Sequence, residues 1–111
     1  MTIREIAAVL GAELLHEEFD DEELSAAYTS DLLSDVIANA KDGGALITIQ
    51  AHKNTVAVAT LVNITVIIIC NSRPIPEDML AACREEGIAL LLCKENQFTV
   101  SGILYGLFNE Q

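Results

Sequence analysis

The chain has 111 residues, 51% of them hydrophobic but only 5% aromatic, with no Trp; 17 acidic residues against six basic ones give a formal net charge of -11. That length and a mean hydropathy of +0.38 point to one domain, residues 1–111, with a core of Ile, Leu, Val and Ala, and exclude a disordered chain. The charge argues against nucleic acid and anionic membrane surfaces as partners, so any phosphate-bearing ligand must be held locally by N–H groups and one or two cations.

Thr2-Ile3-Arg4-Glu5 reads as a capping box, with Thr2 at the N-cap and Glu5 at N3. Ile3, Ile6, Ala7 and Leu10 then share one helical face, and Gly11 ends the helix. Arg4 and Glu5 lie inside what would be the apolar core of a signal peptide, so none is expected. Residues 12–16 read as a strand, with His16 at the surface. The acidic run of residues 17–23 lacks the alternating Asp/Asn spacing and the glycine of a calcium loop, and reads as a solvated loop. A second strand is expected over residues 24–29. Ser30-Asp31 then cap a helix running to Ala40, with Leu32, Leu33, Val36, Ile37 and Ala40 as its buried stripe. Lys41-Asp42-Gly43-Gly44 end it, residues 45–49 form a short apolar strand, and the next helix covers residues 55–62. That helix is mostly Ala, Val and Leu, so its helicity must come from packing.

Residues 64–70 are apolar without alternation, as in a strand buried on both faces of a parallel sheet. After the turn at residues 71–74, Pro76 takes N1 of a helix whose Glu77 and Asp78 complement the dipole and whose Met79, Leu80 and Cys83 face inward. Glu86-Gly87 close it, and residues 88–93 are the last strand. Asn96 or Thr99 caps a final helix carrying Phe98, Ile103, Leu104, Leu107 and Phe108. The alternation of strand and helix predicts an α/β domain: three layers, α/β/α, around a mainly parallel sheet of four to five strands with right-handed crossovers. Cys70, Cys83 and Cys93 show no CxxC spacing, which suits reduced thiols in the cytoplasm. No apolar run is long enough to span a membrane, and the sequon Asn63-Ile64-Thr65 has no secretory context.

In such sheets ligands gather where strands end and helices begin. The polar residues delivered there are Thr29, Ser30 and Asp31, then Gln50, His52 and Asn54, then Asn71, Ser72 and Arg73, with Lys94 and Asn96 behind them. Singly, each is what a strand-to-helix loop uses for capping and turning. Together they offer a carboxylate, an imidazole, cations, hydroxyls and amides to a small polar ligand. Asp31 orienting His52 would make an acid–base pair if the two side chains meet. Cys70 and Cys93 both end strands and become neighbours if those strands pair. Buried, inert thiols are the simpler expectation, and a redox role would need a thiol pKa depressed by Arg73 or Lys94. No G-x-x-x-x-G-K-[ST], G-x-G-x-x-G, H-E-x-x-H or G-x-S-x-G is present, so no autonomous enzyme, cofactor or metal centre is expected.

Tyr28-Thr29-Ser30-Asp31-Leu32-Leu33-Ser34-Asp35-Val36, then Ile47-Thr48-Ile49-Gln50 with Asn54, then strand, turn, proline and helix, resemble the DRTGG domain. Gln97-Phe98 and Gly102-Ile103-Leu104-Tyr105 extend the resemblance over nearly the whole chain. It implies the fold shared by the N-terminal domains of HPr kinase and Mur ligases, but no kinase chemistry, which belongs to a separate P-loop domain. It also implies a stand-alone regulatory or ligand-sensing module. In CBS-domain pyrophosphatases the family contributes to dimerisation, and stand-alone members are often encoded beside iron-only hydrogenase subunits. One departure is Cys70-Asn71-Ser72, where relatives commonly carry a glycine turn. Asn tolerates φ > 0, but side chains then stand where bare backbone would approach a phosphate.

The resulting expectation is a non-enzymatic, homodimeric regulatory domain that binds a small polar metabolite such as a nucleotide at the strand ends, linked to redox metabolism. One alternative is an interaction module docking on a larger redox or kinase partner through an apolar patch above ~400 Å² on the final helix, around Tyr105, Leu107 and Phe108, which is also the expected dimer interface. A third is a small enzyme built on Asp31 and His52.

Overall fold

The computed structural model describes residues 1–40 and 42–109, so Lys41 of the expected helix stop lies outside the described residues. In chain order the elements are α1 (Ile3–Leu10), β1 (Glu13–Leu14), β2 (Ala27–Thr29), α2 (Leu33–Asn39), β3 (Ala45–Thr48), α3 (Lys53–Leu61), β4 (Val66–Ile69), α4 (Glu77–Glu86), β5 (Ala89–Leu92) and α5 (Gln97–Phe108). The sheet order is β1-β5-β4-β3-β2. β2 to β5 are mutually parallel and β1 is antiparallel to β5, pairing Glu13 with Leu92.

Because each parallel strand lies one place further along the sheet, the crossover helices α2, α3 and α4 all fall on one face. Val36, Val56, Ala59, Met79 and Cys83 pack there against Leu46, Ile67, Ile69 and Leu90. The opposite face is covered by α1 and α5, whose Ile3, Ile6, Val100 and Leu104 pack on Ala45, Ile47, Val66, Ile68 and Leu91. This is the three-layer α/β/α arrangement expected from the pattern. Each residue of the central strand β4 is buried, its side chains feeding the two cores alternately. At the start, Thr2 Oγ1 accepts from Glu5 N–H at 3.2 Å while Glu5 Oε1 accepts from Thr2 N–H at 2.8 Å. The capping box thus satisfies two otherwise unpaired donors, and Gly11 closes α1 at φ 62°.

Two expectations need correction. His16 is buried, not at the surface. Its Nδ1 accepts from Glu18 N–H, so the proton sits on Nε2, which donates to Ile88 C=O at 2.7 Å. The acidic run itself is the solvated loop expected, with each of its six carboxylates exposed. Arg4 pairs with Glu17 and Asp21 and lies over the Phe19 ring, 5.1 Å from its centre. Among the described residues, no group of three or more acidic, His or Cys side chains could hold a metal ion. Finally, α2 begins at Leu33, and of its expected stripe only Val36 is fully buried; Leu32 is 64% and Ile37 47% exposed. The helix packs over the edge strand β2, too narrow a surface to cover the whole stripe.

Candidate functional site at the carboxyl edge of the sheet

Asp31 organises the edge where the parallel strands end. It was expected to cap α2, but the N-cap position is Leu32, which has no side-chain cap. Ser30 Oγ instead accepts from Leu32 N–H. The Asp31 carboxylate turns toward β3. Its Oδ1 accepts from Thr48 Oγ1–H at 2.8 Å, Ile49 N–H at 2.9 Å and Gln97 Nε2–H at 3.0 Å. Gln50 Nε2–H donates to the Asp31 carbonyl, and buried Thr55 holds the Gln50 carbonyl. One carboxylate thereby joins the loops after β2 and β3 to the first residue of α5. Thr48 and Gln97 are the members that sequence reasoning missed. The signal was present as one hydroxyl at the end of an otherwise apolar strand and one amide just past a helix cap.

The next loop is built from backbone. Asn71 and Ser72 have φ of 63° and 49°, and Arg73 N–H points back to Cys70 C=O at 3.4 Å. Two successive positive φ values closed by that bond make a type I′ turn. Asn71 N–H donates to Glu95 C=O and Ser72 N–H to Cys93 C=O, which ties this loop to the one after β5. The chain therefore keeps the backbone of a glycine turn with side chains added. Cys70 and Cys93 end the adjacent strands β4 and β5, and both are buried. Burial, then Cys93 and then Asp31, pushes the Cys70 thiol up to about 12. Burial alone does the same at Cys83. For Cys70 that is opposite to the depressed value a redox nucleophile needs.

The predicted residues do not all meet. Asp31 and Gln50 are joined directly. Thr29 Oγ1 instead bonds Ser101 Oγ on α5, 2.7 Å away. His52 is the N-cap of α3, its Nδ1 accepting from Asn54 N–H at 3.0 Å, and no hydrogen bond links it to Asp31. The acid–base pair expected of a small enzyme is therefore not formed. Lys53 and Asn54 line a cleft of about 450 Å³ between α3 and α4, which Glu86 also lines. What the edge does present is a row of cations. Lys53, Arg73 and Lys94 follow β3, β4 and β5 in turn; all three are exposed, and none is in an ion pair among the described residues. The N-termini of α3, α4 and α5 open onto the same edge.

No family model and no curated protein matches this sequence. A solved structure does share its fold. It is the crystal structure of the CBS and DRTGG domains of the regulatory region of Clostridium perfringens pyrophosphatase, complexed with its activator diadenosine tetraphosphate. The TM-score is 0.74 at 12% identity, over 93% of this chain and 45% of that one. At that identity the likeness is one of fold, and this chain spans less than half the length of that structure.

Proposed function

We propose that this chain is a single regulatory domain of the DRTGG type that senses a nucleotide carrying a polyphosphate chain, without catalysing its turnover. The observation that carries the reading is the cation row, Lys53, Arg73 and Lys94, one from each of three adjacent strand ends with no carboxylate partner among the described residues. In a chain of net charge -11 such unpaired cations have no structural task to explain them. They match the one form of phosphate binding the composition allows, local contact backed by helix N-termini. Glu77, Asp78 and Glu95 stand among them, so recognition depends on close contact and not on long-range steering. The activator named for the structure that shares this fold is itself a dinucleoside tetraphosphate, which supports the ligand class.

Isothermal titration with diadenosine tetraphosphate and with ATP tests the reading. Saturable binding is expected, weakened about tenfold or more by alanine at Arg73 or at Lys94, the loss of one charge-assisted contact. Absence of binding to either nucleotide, or affinity unchanged in both variants, would overturn it.

A further inference from the structure

The cleft between α3 and α4 extends the site away from the strand ends. Both helices connect neighbouring parallel strands, so they run side by side in one direction, from the carboxyl edge of the sheet toward the opposite edge. Their facing positions include Ala57 and Ala82, whose side chains stop at Cβ and leave open the space that longer ones would fill. Together with Val56 they form the apolar walls of a cleft of about 450 Å³. That size and lining suit a small molecule, whose orientation a few polar groups then fix.

Those polar groups stand at the two ends. Lys53 and Asn54, in the first turn of α3, line the end at the carboxyl edge, where Lys53 is also a member of the cation row. Thr60 and Glu86 line the other end, and both also border the hollow that contains Asn63 and Ile88. From Lys53 to Thr60 the helix advances roughly 10 Å at 1.5 Å per residue. Glu86 is exposed and, like Lys53, in no ion pair among the described residues. A cation and a carboxylate thus face one apolar cleft from opposite ends without neutralising each other.

We propose that this cleft takes the nucleoside end of the ligand and that Glu86 selects guanine as its base. The inference rests on the cation row binding phosphate as proposed above. With the polyphosphate on that row, Lys53 holds the phosphate nearest the ribose, and the base lies between the walls with its outer edge at Glu86. A carboxylate only accepts hydrogen bonds. Guanine turns two adjacent donors toward it, N1–H and the N2 amino group, which makes a bidentate, charge-assisted pair. Adenine sets its N6 amino group beside an N1 lone pair, so one carboxylate oxygen would meet an acceptor. Cytosine has the same mismatch, and the single N–H of uracil lies between two carbonyls.

Isothermal titration of the wild type with GTP, ITP and ATP tests the assignment. GTP is expected to bind about tenfold or more tighter than ATP, the discrimination of one good bidentate contact. ITP keeps N1–H but lacks the N2 amino group, and should fall between them. Glu86→Gln exchanges one acceptor for a donor at an exposed position, and is expected to weaken GTP about tenfold and to tighten ATP. Equal affinity for GTP and ATP, with both weakened by Arg73→Ala, would overturn the base assignment and leave the phosphate-binding row standing. A guanine preference untouched by Glu86→Gln would overturn it as well, because the base is then read elsewhere. Failure of all three nucleotides to bind would overturn the row itself, and this inference with it.

Discussion

At the scale of single residues, Asp31 shows how one carboxylate can serve structure and site together. Three donors converge on Oδ1, and one of them, Thr48 Oγ1, belongs to a fully buried side chain. Removing the acceptor leaves those donors unsatisfied, at about 1–3 kcal/mol for each buried group. Asp31→Ala is therefore expected to lower unfolding stability by about that amount or more in urea, with m unchanged. Asp31→Asn keeps an oxygen for the same donors and should cost clearly less; equal losses would show that Oδ1 is not the hub. The turn after β4 gives the opposite sign. Ser72 holds φ 49° with a side chain that disfavours it. Ser72→Gly should stabilise the fold by about 0.5–1 kcal/mol in the same titration, whereas Asn71→Gly should change it less, because Asn already tolerates that region.

At the scale of elements, what the sequence makes legible depends on how many neighbours an element has. β4 lies between two strands and two helix layers, so its unbroken apolar run had one possible meaning. The capping box and Gly11 of α1 were equally readable, because both signals are local. α2 was misread at its start and over its stripe, because its cover is the edge strand and Asp31 was drawn away by partners 17 or more residues distant. His16 was placed outside for the same reason: its acceptor, Ile88, is 72 residues away. The paired strand ends β4 and β5 also set a pH response. The Cys70 thiol, like that of Cys83, is raised from an ordinary value near 9 to about 12, so the protonated form is the one the fold favours. The stability this contributes is fully present below pH 9 and lost as pH rises toward 12. Denaturant midpoints are expected to fall across that window, and less steeply in Cys83→Ala once its own packing loss is subtracted. At neutral pH, thiol-reactive dyes should modify Cys70 and Cys83 only as fast as the protein opens.

At the scale of the whole molecule, the net charge of -11 repels an anionic nucleotide, and only the Lys53, Arg73 and Lys94 side chains attract it at close range. Added salt screens both effects, so the bare salt dependence of affinity does not separate them. The difference between the wild type and Arg73→Ala does, because the distant acidic surface is common to both. Raising NaCl from about 0.05 to 0.5 M shortens the screening length from above 10 Å to well below it. Over that range the loss of diadenosine tetraphosphate affinity caused by Arg73→Ala is expected to shrink, read by titration of both proteins in one salt series. A loss that stays constant with salt would show that Arg73 acts through packing and not through its charge, and no loss at any salt would show that the cation row does not bind the nucleotide.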